Sequence, residues 1–178
     1  MVHTPTEYIV NKITALEYAG QAVPVIHSEL DTISPGGQKP IQITISKIIE
    51  KYNISLGPDL LMVPWYIMIR SKPVLDTIDV RIDYLRPALS YKVTIPNPQP
   101  IDIIHNDLRP INSLLFTLNA QTDITVQTKY LVEVAVTIIP TPVFDRFIQQ
   151  YITEIISEGD LNRESPILRR EPLRGMTY

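Results

Sequence analysis

The sequence predicts a mainly β fold, an antiparallel β-sandwich or jelly-roll-like architecture, with an amphipathic helix near the C-terminus and another near the N-terminus. Three observations carry this expectation. Apolar and polar residues alternate over long stretches, most clearly between Asn112 and Ile139, which is the period of a half-buried strand. Isoleucine is the commonest residue, and 16 prolines stand against only 6 glycines; β-branched side chains fit a pleated surface, and proline stiffens loops. After Pro140 the apolar period lengthens to that of a helix.

Taken in chain order, Thr4-Pro5-Thr6-Glu7 has the form of a capping box. Ile9, Ile13 and Leu16 follow at helical spacing, and Gly20 can end the helix. A strand competes for the same residues, because Tyr8-Ile9-Val10 is also β-forming. Val23 to Ile26 reads as a short extended piece leading into a loop at Ser34-Pro35-Gly36-Gly37. Ile41, Ile43 and Ile45 alternate with Gln42, Thr44 and Ser46, as in a strand, whereas Ser46 to Tyr52 fits either a continued strand or a helical turn. Leu60 to Ile69 is apolar on both faces and predicts a central strand, with a bulge or break where Pro64 removes a ladder donor.

Ile78, Val80, Ile82 and Tyr84 face one way, and Asp79, Arg81 and Asp83 the other. Tyr91, Val93 and Ile95 form the next apolar face. Pro96 to Pro100 cannot join a ladder and predicts a rigid extended crossing between sheets. Leu114, Phe116 and Leu118, a turn at 119–123, and an even-numbered apolar set from Ile124 to Ile138 predict an antiparallel hairpin. Its second strand would keep one register for roughly 50 Å. Thr141 as cap, Pro142 at the first turn, and the stripe Phe144, Phe147, Ile148, Tyr151, Ile152 predict a helix over 142–158 that covers a sheet face.

At 178 residues the chain suits one domain of ordinary size. The expected organisation is an N-terminal arm or helix over 1–20, a single β-sandwich domain over 21–159, and an extended arm over 160–178. A net charge of −3 gives no field to hold a nucleic-acid backbone. The absence of cysteine removes disulfides, thiolate catalysis and cysteine-ligated metal centres. No apolar run reaches the roughly 20 residues of a membrane span, and no secretory signal is expected at the start. High loop proline without cysteine fits a thermostable protein, while AT-rich coding would enrich isoleucine equally well.

Candidate chemistry is sparse. Asp79 and Asp83 lie about 13 Å apart along one strand, wide for an acid/base pair, and with Arg81 between them they read as an exposed ion ladder. His105 with Asp102 and Asp107 reads as a turn that uses Asn106 and Asp107 locally, not as a metal site. His3 and His27 show no partner in the sequence. No catalytic, cofactor-binding or metal-ligating residue is therefore expected, and no cofactor.

The alternating 112–139 segment, the cysteine-free Ile- and Pro-rich composition and the terminal arms resemble the β-sandwich structural proteins of virus and phage particles. The resemblance covers about the central hundred residues. It implies a non-enzymatic structural protein of the virion, assembled in the host cytoplasm as a capsid, capsid-associated or connector component. Its partners would be copies of itself and other virion proteins, with no direct nucleic-acid contact. The contact candidates lie in the C-terminal arm: Leu161, Ile167, Leu168 and Leu173 as apolar anchors, and Arg163, Arg169, Arg170 and Arg174 as carboxylate-seeking groups. The competing expectations are a carbohydrate-binding or host-recognition β-sandwich module and, last, a β-sandwich hydrolase using Asp79 or Asp83.

Overall fold

The computed structural model describes residues 5–86, 88–96, 101–104 and 109–157. It is mainly β, with eight antiparallel strands and three helices among the described residues. The order is α1 (Pro5–Tyr18), β1 (Val23–Ile33), β2 (Gln38–Thr44), α2 (Ile45–Tyr52), β3 (Leu60–Lys72), β4 (Thr77–Leu85), β5 (Ala88–Pro96), β6 (Ile101–Ile104), β7 (Ile111–Asn119), β8 (Thr128–Pro140) and α3 (Thr141–Ser157).

Pairing divides the strands into two sets of four. One runs β1-β8-β3-β6 and the other β2-β7-β4-β5. A single residue pair, Met62 with Ile111, joins them through β3 and β7. Both sets send side chains into one core. Val25, Ile67 and Val134 come from the first set, and Ile43, Val80 and Phe116 from the second. Alternation dictates this: in β4, Ile78, Val80, Ile82 and Tyr84 are buried, while Asp79, Arg81 and Asp83 point out.

A second, smaller core covers the outer face of the first set. Leu61, Val63 and Ile139 from the sheet meet Ile13 of α1 and Phe144 and Phe147 of α3. Phe144, Phe147 and Ile148, the first part of the helix stripe, thus cover a sheet face, as their spacing predicts. Gly20 at φ 74 ends α1; Gln21 N–H reaches the Leu16 carbonyl at 2.9 Å, closing a C-terminal cap that needs left-handed backbone. Thr141 does not cap α3 freely, since its hydroxyl donates to Asp59 at 3.0 Å and ties the helix start to the loop before β3.

Three expectations change. First, residues 112–139 are not a hairpin. β7 pairs with β2 and β4, and β8 pairs with β1 and β3, so the two strands lie in different sets. β8 begins only at Thr128, and Val126 is 56% exposed. Second, the piece beginning at Val23 extends to Ile33, paired with β8 throughout. Third, Ile45 leaves the strand and opens α2, where the Thr44 side chain accepts the Lys47 N–H at 3.2 Å. The Pro64 bulge is present. Register shifts between Pro64 and Tyr66, so inward positions change from Met62 to Ile67 and Ile69. The helix over 142–158 is observed as Thr141–Ser157. The arm over 160–178 lies outside the described residues, as do residues 97–100, the greater part of the predicted crossing between β5 and β6.

Candidate functional site

The outer face of the second set carries the acidic pair singled out in the sequence. Its rows follow the register. Asp79 lies opposite Thr94 and Thr117, Arg81 opposite Lys92 and Leu115, and Asp83 opposite Ser90 and Ser113. Asp79 accepts from the Thr94 hydroxyl at 2.7 Å and from the Asn119 amide at 3.2 Å. Asp83 accepts from Ser90, from Ser113 at 3.0 Å and from Arg81 Nε at 3.1 Å. The Ser90 hydroxyl bond is the main reason the Asp83 carboxyl is held below its ordinary value; burial opposes it, and Arg81 and Ser113 add to the lowering. A carboxyl kept ionised by fixed donors is poorly suited to act as a general acid. Between the rows lies a shallow groove of about 260 Å³, lined by Arg81, Lys92, Thr94, Leu115 and Thr117 among others.

A cluster that sequence reasoning missed joins β1 to α2. His27 points inward from β1 and is 1% exposed. Its Nε2 lies 2.9 Å from Glu29 Oε2, and its Nδ1 lies 3.0 Å from the Tyr52 hydroxyl. Lys47 Nζ donates to the same Glu29 oxygen at 2.8 Å and to the Gln42 carbonyl at 3.0 Å. Burial raises the Glu29 carboxyl, but hydrogen bonds from Lys47 and His27, with their charge, outweigh it and leave Glu29 below the ordinary range. Burial, reinforced by the Glu29 charge, pushes the Tyr52 phenol up. Helix α2 is thereby fastened to the edge strands of both sets, with Ile48 fully buried beneath it. The cluster is a fastening whose hydrogen bonds all run within the chain itself.

The third feature is the part of the first set's outer face that the helices leave open. Three rows cross it: Ile26, Ala135 and Tyr66; Ser28, Glu133 and Met68; Leu30, Leu131 and Arg70. Ile26 is 63% exposed and Leu30 is 76% exposed. At its border, Arg70 pairs with Asp102 at 2.9 Å, and the Tyr66 hydroxyl donates to the same carboxylate. Asp102 is therefore a strand residue, its carboxyl held below its ordinary value by Tyr66 and then Arg70. His3, His105 and Asp107 lie outside the described residues, as do the arm candidates Leu161 to Arg174.

Among the described residues, no group of His, Cys, Asp and Glu is placed to hold a metal ion. No described helix is long and apolar enough to cross a membrane.

No family model matches the sequence. The cyclic 2,3-diphosphoglycerate synthetase of Methanosphaera stadtmanae is 28% identical over 94 residues, which are 53% of this chain and 20% of that protein. The chain thus spans about a fifth of the length of the curated relative it matches. Among solved structures, the Yersinia pseudotuberculosis-derived mitogen is similar with a TM-score of 0.39 and 11% identity, over 63% of this chain and 86% of that one.

Proposed function

We propose that this chain is a non-enzymatic assembly protein, a structural component of a virion that works through contacts between subunits. The observation that carries this reading is the strand order. Two antiparallel sets, β1-β8-β3-β6 and β2-β7-β4-β5, share one core. That order supports a sandwich of jelly-roll type, in which eight strands wind as two Greek keys; capsid and lectin domains use it. Such a fold leaves two broad outer faces for neighbours. The helices cover only part of one of them, and Ile26 and Leu30 stay exposed beside it. Exposed apolar residues grouped on one face suit a protein interface better than isolation in water. On this reading the organisation is a helix, a sandwich with α3 laid on it, and a C-terminal arm, and no cofactor takes part.

Negative-stain microscopy with mass photometry of the purified chain tests the proposal. Closed, symmetric particles containing several copies are expected, and uniform single copies at every concentration would end it. The groove beside Arg81 and Lys92, with its rows of hydroxyls, favours one second reading, a sugar-binding module. Selective retention on a glycan array, lost in Lys92→Ala, would move the assignment there.

A further inference from the structure

We propose that the open part of the β1-β8-β3 face is the seat for residues 158–178 of a second copy of this chain. The inference deepens the assembly reading and rests on it. The exposed apolar residues Ile26 and Leu30 hold two of its corners, Tyr66 and Arg70 the other two, and the Glu133 carboxylate stands at its centre. Glu133 lies in the middle row, between Ser28 and Met68. Ile26 and Leu30 stand diagonal to it on β1, and Leu131 and Ala135 precede and follow it by two residues on β8. It accepts a bond from the Ser28 hydroxyl at 3.3 Å. Among the described residues no cation pairs with it, since the nearby Arg70 is taken by Asp102. A carboxylate with Ile26, Leu30, Leu131 and Ala135 around it suits a cation that arrives together with apolar groups, because covering this face would strip water from the charge and leave it costly without a partner.

The segment after α3 has that composition. Ile167 and Leu168 stand immediately before Arg169 and Arg170, and Leu173 immediately before Arg174. Arginine suits the site because its flat fork grips a carboxylate while its stem lies on apolar surface. Length allows the segment to reach a neighbour's face. Fully extended, 21 residues reach about 70 Å, whereas β8 with its 13 residues is about 43 Å long. The segment is long enough to cross a subunit boundary.

The test compares full-length variants by sedimentation velocity over a concentration series. Leu30→Asp and Glu133→Arg each replace an outward-facing side chain, so folding should survive, and circular dichroism checks that it does. Both are expected to weaken self-association by about tenfold or more, as loss of an apolar anchor or reversal of an interfacial charge does. Arg169→Glu with Arg170→Glu should do the same. Combining those two with Glu133→Arg should restore association, which a merely structural role for Glu133 would not. If the arginine changes dissociate the protein while Leu30→Asp and Glu133→Arg leave it assembled, the arm seats elsewhere; this inference fails and the assembly reading stands. If the segment binds the face of its own copy, the face variants leave the mass unchanged, and the inference fails in the same way. If the wild-type chain never associates, both fail.

Discussion

Val134 and Leu30 lie on neighbouring strands and face opposite ways. Val134 is 0% exposed in the shared core, while Leu30 is 76% exposed. Val134→Asp should cost about 3 kcal/mol or more, because it buries an unpaired charge. Leu30→Asp should change the stability of the single subunit by no more than about 0.5 kcal/mol. Denaturant unfolding measures both, and equal effects would mean that the strand register is wrong. Asp79→Ala and Asp83→Ala should each cost at most about 1 kcal/mol, since their bonds to Thr94, Ser90 and Ser113 lie on the outer face. The inward set of β8 was legible because period-two alternation names a face directly, and Tyr130, Val132, Val134, Val136 and Ile138 are all buried. His27 was not legible. Its partner Tyr52 is 25 residues away on a helix, and sequence spacing carries no trace of that meeting.

At the level of elements, α2 is the one whose fastening can be tested cleanly. Tyr52→Phe removes the hydroxyl facing His27 Nδ1 and leaves a buried ring nitrogen unpaired, which should cost about 1–3 kcal/mol. Glu29 adds a pH signature. Its folded carboxyl lies below the ordinary 4.5, so its contribution is present above that value and is lost as pH falls through the lower folded one. Glu17 of α1 has the opposite sign. Burial raises its carboxyl, against the opposing bond from Thr137, so the folded state is penalised at neutral pH. Glu17→Gln should therefore raise the melting temperature slightly at pH 7, and the gain should vanish as pH drops through the raised value and below 4.5.

Strand identity was largely readable from the sequence, but strand partnership was not. β7 and β8 look like a hairpin because both alternate and a polar segment separates them, yet each finds its partners among strands distant in the chain. Alternation fixes which face is buried, whereas partner choice depends on the packing of the whole core. Proline at 64 did reveal its bulge, because a missing N–H is a local fact.

For the whole molecule, the eight strands and their helices form a self-sufficient unit on this reading, and residues 158–178 are the means of joining units. On that reading the segment adds nothing to either core, so removing the last 21 residues should leave the melting temperature of the subunit unchanged within a few degrees, the shift expected for less than about 1 kcal/mol. The most direct measurement is sedimentation velocity of the full chain beside a chain ending at Ser157, at matched concentrations. The full chain should sediment as a multiple of its 20.3 kDa mass, and the shortened chain as a folded monomer. A full chain that stays monomeric, or a shortened one that either unfolds or associates just as well, would contradict the assembly role of the arm.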